Sequence, residues 1–186
     1  MVTLGSLWLP IILSAAVVFF ASFVMWMVLP HHKADWKRLP DEGGLAEAIR
    51  KQKAGAGQYR FPYCADAKDM KDPAFLKKME DGPIGSLIVQ PSGKPRMGGS
   101  LIQSFVYNIL VAVVVAYLTG RTLQAGAHYL QVFRVAGTAA TLAYAGALFY
   151  PSIWMGKPWG VTIRDAIDGV VYGMLTAGIF GWLWPR

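Results

Sequence analysis

The sequence predicts an all-α membrane protein: four transmembrane helices with a small α+β cytoplasmic insertion between the first and the second. Three observations lead there. Of the 186 residues, 54% are hydrophobic and only 16% charged, with a mean hydropathy of +0.37, too apolar for an ordinary soluble domain. The apolar residues gather into four long runs, and a helix needs about 20 such residues to cross the hydrocarbon core of a bilayer. Charge is segregated from those runs, for 13 of the 18 Lys and Arg residues lie between Pro30 and Gly99.

Residues 6–29 carry no charge and form the first span, TM1. Pro10 lies in its first turns, where a missing N–H costs little. No basic leader and no small-x-small cleavage site accompany the run, so it is expected to be a permanent span and not a signal peptide. The other spans are residues 100–120 (TM2), 129–150 (TM3) and 165–184 (TM4). Between TM1 and TM2, residues 40–53 place Leu45, Ala48 and Ile49 on one helical face with acids early and bases late, a short amphipathic helix. A second helix starts where Asp72 can cap and Pro73 can take the first helical position, and it stops at Asp81-Gly82. Residues 58–63 and 84–90 are β-prone and bounded by Gly and Pro, which predicts a two-stranded ribbon. A ribbon of two strands is marginal alone, so the insertion is expected to lean on the membrane face or on a partner.

An even number of spans puts both termini on one side. The basic residues flanking the insertion, Lys33, Lys37 and Arg38 after TM1 and Lys94 and Arg96 before TM2, make residues 30–99 cytoplasmic and both termini periplasmic. Trp36, Lys37, Arg38, Trp154 and Trp159, with His31 and His32, are expected at the inner boundary, in contact with lipid or a partner.

Gly169, Gly173, Ala177 and Gly181 recur every fourth residue along TM4, a pattern that lets helix backbones approach closely. It serves either packing on the small residues of TM3 within one chain, the favoured reading, or self-association. Thr162 and Asp165 resemble a capping box for TM4. Gln103, Ser104, Tyr107 and Asn108 give TM2 a polar stripe, either glue between helices or contacts to a ligand, with Asn108 the deepest strongly polar side chain. Arg134 and Asp168 fall at opposite ends of their spans and are not expected to pair. His31 and His32 are adjacent, share no helical face and have no third ligand near them in sequence. No metal is therefore assigned, and the cofactor is left unknown.

No metalloprotease, nucleophile-elbow, P-loop or dinucleotide-binding motif is present. The single cysteine, Cys64, has no paired base. The chain is thus read as non-catalytic. Its net charge of +7 reports orientation and anionic lipid before nucleic acid, which is not an expected partner.

At LPHHKADWKRLPDE, MEDGPIGSL and IDGVVYGMLTAGIFGWLWP the chain resembles a set of small four-span bacterial inner-membrane proteins. The resemblance implies the architecture and the bacterial membrane; the set has no established activity, so it assigns no functional residue. The expected function is an accessory or scaffold protein docking onto a larger membrane assembly, respiratory or photosynthetic, or onto copies of itself. The alternative is a small-molecule binder or transporter using the TM2 stripe.

Overall fold

The computed structural model describes residues 2–94 and 96–186. In chain order, helix α1 (Trp8–Phe23) follows a 3-10 turn at Leu4–Leu7 and widens into a π turn at Val24–Val28, closed by Leu29 N–H on the Val24 carbonyl at 3.0 Å. Then come α2 (Glu42–Lys51), β1 (Gly57–Phe61), α3 (Pro73–Asp81), β2 (Gly85–Val89), α4 (Met97–Thr122), α5 (Tyr129–Ala145), α6 (Tyr150–Met155) and α7 (Trp159–Trp182). Among the described residues, three stretches are long and apolar enough to cross a membrane: Leu4–Val28, Met97–Thr122 and Tyr129–Met155, with mean hydropathies of 2.5, 2.1 and 1.4. The 24 residues of α7 match them in length but not in hydropathy, because Arg164, Asp165 and Asp168 fall in its first three turns and glycines recur along it.

The chain divides into two units. The first holds the long helices: the segment ending at Trp36, Arg96–Ile153 and Lys157–Arg186. Its helices alternate in direction, and hydrogen bonds at one end of the bundle record this. Val2 N–H donates to the Gly120 carbonyl at 3.2 Å, and Gly126 N–H to the Pro185 carbonyl at 2.9 Å. Trp184 Nε1 donates to the Gln124 carbonyl at 2.9 Å. Both chain ends and the α4–α5 turn therefore meet there. Next to them lies the packed core, with Leu7, Ile11, Val111, Val115, Val132, Phe180 and Trp184 buried.

The small residues of α7 face α5. A Cβ added at Gly173 would stand 3.0 Å from the Thr141 Cα, and one at Gly169 would stand 2.9 Å from the Ala145 Cβ. At Gly181 it would meet the Tyr129 ring at 2.7 Å. At Gly173 and Gly169 the backbone of α5 takes space that a side chain would fill, and at Gly181 the Tyr129 ring does. Helix α7 also begins earlier than hydropathy alone suggests, at Trp159 after Pro158. Thr162 is consequently not its cap: it is buried inside the helix with its hydroxyl 2.6 Å from that of Ser152, and Asp165 takes Lys157 Nζ at 2.5 Å.

The second unit is Lys37–Pro95 with Trp154–Gly156. Asp41 caps α2 through Gly44 N–H at 2.8 Å, and Asp72 caps α3 through Ala74 N–H at 3.0 Å with Pro73 in the first turn. β1 and β2 pair antiparallel, Gly57 opposite Val89 and Phe61 opposite Gly85. None of the described residues from Lys37 to Lys94 is buried. Local signals build these elements, and no core of their own holds them.

Candidate functional site

At the end of the bundle away from the chain termini, α1 stops because Leu29 turns extended and Pro30 opens a 3-10 turn, Pro30–His32. That turn is closed by Lys33 N–H on the Pro30 carbonyl, and Asp35 N–H continues it onto the His32 carbonyl, each at 3.0 Å. Together they carry His31, His32 and Asp35 as one short unit. Opposite stands the first part of α7, where Arg164 and Asp168, four residues apart, share a helical face.

That face meets the turn through side chains. His31 Nε2 lies 3.0 Å from Asp168 Oδ1, and His32 Nε2 lies 2.9 Å from Asp168 Oδ2. The other ring nitrogen of His32, Nδ1, is 2.5 Å from Asp35 Oδ2. Arg164 donates to Asp35 Oδ1 through Nε at 2.8 Å and through Nη2. Trp26, from the π turn, stacks flat on His32 with ring centroids 4.0 Å apart. His32 and Asp168 are buried, only 5% and 2% exposed, while the His31 side chain retains 28%. Ionised groups so far from water are tolerated only when each is paired and hydrogen-bonded.

The charges respond accordingly. Burial works against the imidazolium of His32, yet hydrogen bonds to Asp168 and Asp35 carry its pKa above the ordinary histidine value. Burial likewise works against the Asp35 carboxylate, and His32 and Arg164 nonetheless hold its pKa below the usual range. Both groups favour the charged state because each is gripped by an opposite charge.

Asp168 and Asp165 also line a cavity of about 360 Å³ between α1, α4, α5 and α7. Its walls include Ser22 of α1 and Trp26 of the π turn, Ser104, Tyr107 and Asn108 of α4, Tyr144 of α5 and Tyr172 of α7. The three tyrosines form an edge-to-face chain, Tyr107 to Tyr144 at 6.2 Å and Tyr144 to Tyr172 at 5.7 Å. Three wall atoms have no hydrogen-bond partner among the described residues although they are buried, Asn108 Nδ2, Asp165 Oδ1 and the Tyr172 hydroxyl. A buried amide or hydroxyl without a partner costs about 1–3 kcal/mol, so such groups call for a ligand or solvent molecule.

Of the α4 stripe, Ser104, Tyr107 and Asn108 reach this cavity, whereas Gln103 is exposed and does not line it. Gly169 contributes to the wall, and Gly173, Ala177 and Gly181 lie further along α7. His31 and His32 are drawn together on Asp168. Trp36 stands 84% exposed and Trp159 52%; Lys37, Arg38 and Trp154 belong to the second unit. Cys64, in that unit too, donates its thiol to the Asp66 carbonyl. Sequence reasoning passed over Asp35, Arg164 and Asp168 as site residues. The available signal was the density of ionisable residues at both edges of apolar runs, His31-His32 with Asp35 and Arg164-Asp165 with Asp168, each costly beside a bilayer unless it has a partner.

Neither a family model, nor a curated protein, nor a solved structure matches this chain.

Proposed function

We propose that the chain is a four-span protein of the bacterial inner membrane that binds a small amphipathic molecule in the cavity between its helices. The observation that carries this is the unpartnered Asn108 amide, buried in the wall of a cavity of about 360 Å³ that also presents three tyrosines and Asp168. Ligand sites are concave and mostly apolar, with a few convergent polar groups that fix orientation. The guest that suits these walls has an apolar body and a compact head that accepts a hydrogen bond from Asn108.

Support for the fourth span comes from α7 itself. Ile163, Ile167, Val170 and Met174 are exposed along one side of it, an unbroken apolar stripe that belongs in lipid. Four alternating helices also accord with the meeting of both chain ends at one end of the bundle. The concentration of basic residues in the insertion then makes that segment cytoplasmic and both termini periplasmic. A reporter fused after Arg186 is expected to behave as periplasmic and one inserted near Gly55 as cytoplasmic; reversed signals would overturn the orientation.

The binding experiment is a melting series in mild detergent, with the lipids and any quinone or pigment that co-purify as candidate guests. The wild type is expected to melt higher with its guest. Asn108→Leu should remove that shift while the guest-free protein melts at or above the wild type, since the buried amide nitrogen has no hydrogen-bond partner to lose. Equal shifts in wild type and variant would sink the proposal. A docking role for the insertion rests on a separate observation, the lack of any buried residue among its described positions from Lys37 to Lys94. It needs a surface outside itself, and a stable complex isolated with the insertion and lost without it would establish that role.

A further inference from the structure

The sequence offered two adjacent histidines with no third ligand near them; the fold supplies one from 137 residues away. His31 Nε2 and His32 Nε2 both converge on the Asp168 carboxylate, and three donor atoms from these residues lie within 4.8 Å of one another. We propose that His31, His32 and Asp168 form a site for one divalent transition cation of the zinc class, with Asp35 orienting His32 and a free coordination position directed toward the cavity.

The donor set comes first. Two imidazole nitrogens and one carboxylate suit zinc or ferrous iron and not magnesium or calcium, which take oxygen ligands. Zinc–nitrogen and zinc–oxygen bonds of about 2.0–2.2 Å put tetrahedral ligand atoms roughly 3.4 Å apart. The present separations of 3.0 and 2.9 Å between the imidazoles and Asp168 need only a small opening to admit the ion. Three protein ligands leave a position vacant in a tetrahedral set, the pattern of zinc sites that engage a further molecule.

The surroundings point the same way. Asp35 stands against Nδ1 of His32 and is itself held by two bonds from Arg164. A carboxylate on the far nitrogen of a histidine fixes the proton there and presents the lone pair of Nε2 to a metal. Charge leaves room for a cation as well: once the ion takes the place of the ring protons on Nε2, Asp35, Asp165 and Asp168 face Arg164 and Lys157 beside it. Asp168 also lines the cavity, so the free coordination position opens where a polar head would lie. The metal site does not depend on that cavity having a guest.

The test uses the full chain in mild detergent, purified without a polyhistidine tag, equilibrated with zinc and dialysed into metal-free buffer. Elemental analysis is expected to find about one zinc per chain, and cobalt(II) in its place should give the visible bands of a site with four or five ligands. Asp35→Asn, which removes the orienting carboxylate and no ligand, should weaken zinc binding by about 10–100-fold. His31→Gln, at the most exposed ligand, and Asp168→Asn should weaken it further. The inference is overturned if folded wild type retains no zinc, or if His31→Gln and Asp168→Asn bind it as the wild type does; the cluster is then an ion-pair latch between α1 and α7. Asn108→Leu should keep its zinc whatever its effect on guest binding, so failure of the metal site and failure of the guest site are read separately.

Discussion

Gly173→Leu is expected to lower stability in detergent by about 3 kcal/mol, the upper part of the range for overpacked interiors. The reason is that the obstruction is backbone. A Cβ at Gly173 would meet Thr141 Cα and N at 3.0 Å and collide with the Thr141 hydroxyl. The hydroxyl can rotate away, but the main chain of α5 cannot move without parting the two helices. Gly173→Ala should fall between wild type and Leu, since turning Thr141 relieves its worst contact. Thermal unfolding followed by circular dichroism measures both. A Leu variant that melts like the wild type and loses self-association would place the ladder between copies of the chain.

Arg164→Ala is expected to cost about 3 kcal/mol, the lower end of what breaking a buried ion pair costs. It removes two of the hydrogen bonds that hold Asp35, whose side chain is only 2% exposed, and leaves His32 as the partner of a buried carboxylate. Arg164→Lys should recover part of the loss, because it restores the charge and not the two-pronged geometry of the guanidinium. The same melting measurement decides: an Arg164→Ala variant as stable as the wild type would mean that the contact between α7 and the 30–36 turn carries no weight.

What was legible in the sequence was local. Asp72 with Pro73 announces α3, whose cap and first turn they form. The β-prone stretches around it pair as β1 and β2, because short-range turn chemistry and alternation set such elements. Of the four spans read from the apolar runs, three stand among the described residues as helices long and apolar enough to cross a membrane. The site was only half legible. Asn108 stands out as the deepest polar side chain of its run, but that it faces Tyr172 and Asp168 across a cavity depends on how α4 and α7 are rotated about their axes. Apolar composition does not encode that rotation when lipid surrounds the bundle. His31 and Asp168 sit at the edges of apolar runs, where each alone reads as an interfacial residue, and their meeting follows from the tertiary packing of α1 on α7. The early start of α7 hid the same contact, for a helix begun at residue 165 would leave Arg164 in a loop.

The interior is filled unevenly along the bundle. Near the chain termini Leu7, Val115, Val132 and Phe180 leave no measurable surface to solvent, while the cavity that Asn108 lines lies toward the His31 end, between the late turns of α1 and the early turns of α7. Such an interior is a cup with a solid floor. A molecule held against Asn108 enters and leaves by the rim or sideways between helices from the lipid, and passage to the opposite face would require Phe180 and its neighbours to separate. If the cavity holds a guest as proposed, this packing suits a receptacle closed at one end, where something is kept or handed over within one leaflet, better than a conduit from one side to the other.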